Sequence, residues 1–298
     1  MRDFNDILDE VNGRMAAAAA KSGRAASDVE IVAVTKTHGP DVVREAWEGG
    51  LRIVGENKVQ EAAWKRPLSV TGPDWHLIGH LQKNKVRPAL ELFSCLHSVD
   101  SVALIERIQR VAEEIGARPS ILLEVNMSGE RSKSGMRPED APAAVEAALR
   151  CPNITLEGFM TMAPFVPHEK VEETRPVFAG LRELRDAMEA EFGAVFPRLS
   201  MGMSGDYEIA IEEGATWVRL GTVLFGERPK TKLVRAVDAG DARKCADVQY
   251  STVPKRDPRR RADCAERKAQ RRSQPPPDCG RSPSGSTRQV RQDRPSTV

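Results

Sequence analysis

The chain is predicted to be an α/β protein: a single closed (β/α)8 barrel with an N-terminal helix and a basic C-terminal tail. Three observations lead there. Short apolar runs alternate eight times with helical segments, and the connections are a few residues long. The first run, Ile31 to Val34, is nearly unbroken, as in parallel strands covered on both faces. The main rival is an open doubly wound sheet, but no G-x-G-x-x-G turn follows the first run, and polar residues end many strands instead of gathering at one crevice.

Taken in order, residues 3–22 place Phe4, Ile7, Leu8, Val11 and Met15 at helical spacing ahead of an alanine run, giving an amphipathic helix that ends near Gly23. Ile31 to Val34 form the first strand, which leads to Lys36. Residues 40–49 are helical, Leu51 to Val54 a strand ending at Gly55-Glu56-Asn57, and 58–65 helical again. Trp75 to His80 make the third strand, with a helix over 82–92. Cys95 to Val99 are the fourth, after which Asp100 is expected to cap a helix reaching Ile115. Ser120 to Asn126 are the fifth, followed by a helix over 138–149. Ile154 to Met160 are the sixth, followed by a helix over 170–191. Leu199-Ser200 is a short seventh strand with a helix over 206–213, and Thr216 to Gly221 are the eighth.

Candidate chemistry collects after the strands, where barrels of this kind place their working loops. By alternation Val32, Val34 and Lys36 share one side of the first strand, so the lysine leaves a buried strand toward the core. An ammonium there is costly unless it is paired, loses its charge or reacts; the plain alternative is a lysine snorkelling to solvent. After strand seven, Met201-Gly202-Met203-Ser204-Gly205-Asp206 offers close backbone approach and hydroxyl donors to an anion. Gly221-Thr222 does the same after strand eight. Trp217, Arg219 and Gly221 share a face, which directs Arg219 into the upper barrel. It must meet an acceptor there, either a structural carboxylate (Glu56 or Glu124) or a ligand. A lysine, a phosphate loop and an arginine between them point to a phosphorylated aldehyde carried as a Schiff base, namely pyridoxal phosphate (PLP).

Several separated motifs carry a family resemblance: VAVTKTH, GENKVQEA, WHLIGHLQKNK, LHSVDS, EVNMSGERSKSGM, EGFMTMAP, LSMGMSGDYEIAI and VRLGTVLFGERP. From the N-terminal helix to about Pro229 the chain resembles the PLP homeostasis proteins, also called proline synthase co-transcribed homologues. That resemblance implies one TIM-type barrel similar to the N-terminal domain of alanine racemase, with PLP on Lys36. It also implies the cofactor phosphate on Ser204, Gly221 and Thr222, the pyridine nitrogen near Arg219, and Asn57 at the cofactor mouth. An arginine at the ring nitrogen donates a hydrogen bond and leaves the ring unprotonated, a poor electron sink. Related racemases compensate with a second base, a tyrosine from another domain or subunit. Tyr207 and Tyr250 are the two tyrosines here. The expectation is a PLP-binding homeostasis protein that stores, delivers or buffers the cofactor with little or no catalysis, apo PLP-dependent enzymes being its recipients. The alternative is a low-activity PLP-dependent amino-acid racemase.

Residues 230–298 hold 18 Lys+Arg against 8 Asp+Glu, net +10, whereas residues 1–229 hold 27 against 35, net −8. The acidic body argues against a nucleic-acid role for the barrel. The tail, rich in Arg, Pro and Ser, is expected to be disordered; it reads as a solvated extension or as a basic arm for RNA, DNA or an acidic partner. Five cysteines without metal-type spacing predict no metal site. His76 and His80 read as hydrogen-bonded barrel residues, and Ser132 to Gly135 as a lid, a second anion contact or a solvated loop. The charged start, Met1 to Asp6, has no apolar leader, nothing has the length of a membrane span, and the expected location is the cytoplasm.

Overall fold

The computed structural model describes residues 3–130 and 134–227. Helix α1 (Phe4–Lys21) precedes eight strands: β1 (Glu30–Val34), β2 (Ile53–Glu56), β3 (Asp74–Leu77), β4 (Cys95–Val99), β5 (Ser120–Glu124), β6 (Thr155–Met160), β7 (Arg198–Met203) and β8 (Trp217–Leu220). Between them lie α2 (Pro40–Glu48), α3 (Val59–Lys65), α4 (Val86–Leu92), α5 (Val102–Ile115), α6 (Ala141–Leu149), α7 (Arg175–Phe192) and α8 (Tyr207–Glu212), with α9 (Thr222–Phe225) after β8. The strands form a closed parallel barrel in sequence order, β8 returning to β1 through Glu30–Trp217 and Val32–Arg219. The expected barrel is therefore present, while the tail from residue 230 lies outside the described residues.

Two apolar layers follow from the period of two along each strand. Val32, Ile53, Cys95, Leu122, Met160 and Trp217 fill the inside. Ile31, Ala33, Val54, Leu96, Leu199, Val218 and Leu220 face the surrounding helices. The floor is pinned where β1, β7 and β8 begin: Trp217 Nε1 and Arg198 Nη1 each donate to Glu30 Oε2 at 3.0 Å, and the Arg198 guanidinium lies 4.7 Å from the Trp217 ring centroid.

Several boundaries differ from the sequence reading. The second strand starts two residues late and runs through Gly55 and Glu56, because Glu56 is neutralised by a partner on α3, described below. The seventh strand is six residues, not two: Gly202 adopts φ +90°, and the ladder to β8 shifts register on the way to Met203. Ser101, not Asp100, is the N-cap of α5; its hydroxyl bonds Asp100 Oδ1 instead of the helix backbone. The expected helices over 82–92, 138–149 and 170–191 each open with a 3-10 stretch. Among the described residues no helix is long and apolar enough to cross a membrane.

Candidate functional site

Lys36 lies two residues beyond the end of β1, in a turn, and is half-buried. That turn is braced from the helix side of the sheet. Lys65, fully buried at the end of α3, donates to Thr35 O at 2.8 Å, Glu56 Oε1 at 2.5 Å and Glu61 Oε1 at 3.1 Å. The Thr35 hydroxyl donates to Glu56 Oε1 at 2.6 Å, and the Thr37 N–H donates to Glu61 Oε1. Both chain neighbours of Lys36 are thus tied to one buried ionic cluster. The ties hold Thr37 in the left-handed region at φ +67°, where a β-branched residue is strained. Burial is the largest influence on Glu56 and raises its pKa to about 7, against the opposing pull of Lys65.

Closure of the barrel sets the β8 loop beside this turn. A Cβ on Gly221 would stand 3.2 Å from Val34 O, so the two backbones meet almost in contact. From the other side Ser204 reaches across, its hydroxyl oxygen accepting from Gly221 N at 3.4 Å and Val223 N at 3.3 Å. Gly202 makes that approach possible, since a Cβ there would lie 2.6 Å from Ala210 Cβ. Met203 N donates to Asp206 Oδ1 at 2.6 Å and closes the loop below Ser204. Thr222 is exposed at the start of α9. Lys36, Ser204, Gly221 and Thr222 therefore share one rim formed by β7, β8 and β1. Asn57 occupies the adjoining β2 loop, packed so that a Cβ on Gly79 would meet Asn57 O at 2.3 Å.

Arg219 lies inside the barrel below this rim and is 5 % exposed. Neither carboxylate expected for it is bonded to it: Glu56 pairs with Lys65, and Glu124 accepts from Ser134 Oγ at 2.6 Å. Its guanidinium instead donates to neutral oxygens, Ser200 O at 2.7 Å, Ser200 Oγ at 2.8 Å and Thr161 O at 2.9 Å. Burial lowers its pKa to about 10, with Asp206 and Glu124 acting through charge alone to raise it, so it stays protonated at neutral pH. A buried cation bonded to neutral oxygens alone has capacity for an acceptor or an anion.

Sequence reasoning missed three parts of this site. Lys65 and Glu61 looked like ordinary helix charges, although Val59, Ala62 and Lys65 recur every third residue on the buried face of α3. His97 passed unremarked, yet it faces His76 inside the barrel. His76 is the buried hydrogen-bonded residue expected, whereas His80 is exposed, with Nδ1 3.4 Å from Asp100 Oδ2. His76, Cys95 and His97 bring donor atoms within 4.8 Å of one another, but the two imidazoles bond each other at 2.9 Å and burial pushes the Cys95 thiol far up. Tyr207 is packed against α1 with Arg14 over its ring at 5.4 Å, among the residues on the helix side of the sheet. Ser132 and Lys133 lie outside the described residues.

The class to which this barrel and rim belong is the one described as alanine racemase, N-terminal domain, whose pattern matches residues 12–229. Within it, the chain belongs to the pyridoxal phosphate homeostasis protein family. It is 45 % identical over 234 residues to the homeostasis protein of Pseudomonas aeruginosa, covering 76 % of this chain and 97 % of that one. To that of Aquifex aeolicus it is 42 % identical over 222 residues, covering 74 % and 96 %. Among solved structures, PipY of Synechococcus elongatus with PLP bound is 38 % identical with a TM-score of 0.62, covering 67 % of this chain and 93 % of PipY.

Proposed function

We propose that this protein binds PLP at the rim formed by β7, β8 and β1 and serves in its homeostasis as a carrier or buffer with little or no turnover. One observation carries the reading. A braced half-buried lysine, a turn of small residues with converging donors and a buried arginine with bonding capacity to spare all meet where the first and last strands close. PLP supplies an aldehyde that reacts with primary amines, an anionic phosphate and a ring nitrogen. Lys36 is the amine; Ser204, Gly221 and Thr222 take the phosphate; Arg219 donates to the ring nitrogen; Asn57 lines the mouth. The PLP named with the PipY structure and the family's descriptions support the choice of ligand.

The chain's own groups favour holding over turnover. Arg219, protonated at neutral pH, donates a hydrogen bond to the ring nitrogen but is too weak an acid to hand its proton over. Tyr207, the one tyrosine among the described residues, is packed on the helix side, and burial raises its pKa to about 12. It is neither placed nor poised as a second base. The recipients in this reading are apo PLP-dependent enzymes in the cytoplasm.

Absorbance of the purified protein with PLP tests the reading. A near-violet band that survives in wild type and vanishes in Lys36→Ala is expected, and its absence from wild type overturns the proposal. Chiral analysis after incubation with alanine or serine tests the carrier role, which sustained racemisation would overturn.

A further inference from the structure

Beneath Arg219 a column of polar side chains runs down the inside of the barrel toward Trp217. The Ser200 hydroxyl accepts from Arg219 Nη1 at 2.8 Å and lies 2.9 Å from His97 Nδ1. His97 Nε2 in turn lies 2.9 Å from His76 Nδ1. The Trp217 ring stacks on His97 at 5.1 Å and tilts against His76 at 5.0 Å. Four strands contribute (β3, β4, β7 and β8), so the column ties together positions up to 143 residues apart in sequence.

A guanidinium only donates, so Ser200 accepts from Arg219. The arrangement that gives the remaining Ser200 proton an acceptor in the column sends it to His97 Nδ1. His97 accordingly carries its proton on Nε2 and donates to His76 Nδ1, which leaves the His76 proton on Nε2 as well. In this arrangement the three contacts from Arg219 to His76 Nδ1 each join a donor to an acceptor, and both imidazoles are neutral. The surroundings agree. His97 faces His76, Arg219 and the Trp217 ring, and burial drives its pKa well below the usual value, helped by His76 and Arg219. His76 faces His97 and the charge of Arg198, and burial brings it to about 3. Cys95, beside them on the inner face, is pushed upward and stays a thiol.

We infer that Ser200, His97 and His76 are positioning residues for Arg219, a neutral one-way strut that holds the guanidinium up to the ligand without giving it a counter-charge. A carboxylate in the column would pair with Arg219 and use up its charge. An apolar filler would release the side chain toward Asp206 or Glu124, the two carboxylates whose charge it feels. The inference rests on the assignment of Arg219 to PLP, although the strut itself is measurable without the cofactor.

Ring ¹⁵N NMR on the full chain without PLP reads the strut directly. His76 and His97 are expected to stay neutral with the proton on Nε2 from about pH 5 to about pH 9. The His97 signals should move in Ser200→Ala. Titration of either ring in that range, a proton on His97 Nδ1, or unmoved signals in Ser200→Ala would overturn the inference. With PLP added, Ser200→Ala and His97→Leu are expected to raise its Kd about tenfold, as loss of a bond to a charged group does, and to alter the pH profile of the near-violet band. His97→Gln should restore both, since its amide accepts from Ser200 and donates to His76. Unchanged Kd and profile in the folded Leu variant, or a Gln variant no better than Leu, counts against the strut. Failure of the PLP assignment looks different: wild type shows no band while the NMR result stands.

Discussion

Removing the buried ammonium of Lys65 should loosen the lysine turn and do so in a pH-dependent way. Lys65→Met keeps the length and apolar stem of the side chain but deletes three bonds, to Thr35 O, Glu56 and Glu61. Breaking a buried pair by deleting one partner costs about 3–5 kcal/mol, a large part of the total stability of a typical domain. The variant can lower that cost by protonating Glu56. The Glu56 carboxyl already has its pKa raised to about 7 by burial, and Lys65 is the largest influence opposing that rise, so the variant moves it higher still. A carboxyl whose folded pKa exceeds its unfolded value binds more protons folded than unfolded, so it loses stability as pH rises from the unfolded value through the folded one. In wild type that loss is complete a little above pH 7; in the variant it continues upward. The difference between the two proteins should therefore be smallest near pH 5 and grow toward pH 9. Urea unfolding followed by circular dichroism at several pH values measures it, and Glu56→Gln in the Lys65→Met background should remove most of the pH dependence. A penalty under about 1 kcal/mol, or one equal at both ends of the range, would refute the description of this cluster as a buried ionic brace.

Thr35→Val should cost about 1–2 kcal/mol by urea unfolding, because it leaves a buried carboxylate one donor short while preserving shape. Gly202→Ala should destabilise by about 2 kcal/mol or more, since the new methyl lies 2.6 Å from Ala210 Cβ at a backbone with φ +90°; it should also weaken phosphate-bearing ligands more than PLP analogues without phosphate, as isothermal titration would show. Cys95 should resist alkylation in the native protein and react only on unfolding, with Cys151, half-buried, labelled first of the two in peptide-resolved mass spectrometry.

The parts of this molecule that were legible in the sequence are those governed by local period. Val32 faces inward and Ile31 and Ala33 outward, as alternation requires, and the same logic placed Arg219 inside and Val218 and Leu220 outside. The glycine and serine turns after the last two strands were legible as a pair; either alone reads as a plain turn, and the structure links the two through Ser204 Oγ and Gly221 N. What was hidden depends on partners far away in the chain. Glu56 ends a strand as a buried residue only because Lys65 neutralises it, and a lone glutamate before an asparagine reads as the start of a loop. Ser200 and His97 are 103 residues apart, and neither has a neighbour in sequence that would betray their bond. The extra length of β7 was concealed by Gly202, which favours a turn by propensity and here permits two backbones to approach.

The rim that joins Lys36 to Gly221 is completed by the pairing of β1 with β8. Its halves are contributed by opposite ends of the barrel sequence, so an emerging polypeptide carries Lys36 long before it carries Gly221. Any ligand gripped there rewards only the finished ring and adds its binding energy to that state alone. On the proposed assignment of PLP to this rim, whole molecules accept the aldehyde, and fragments truncated before the last strand, though they retain the lysine, should pass it by.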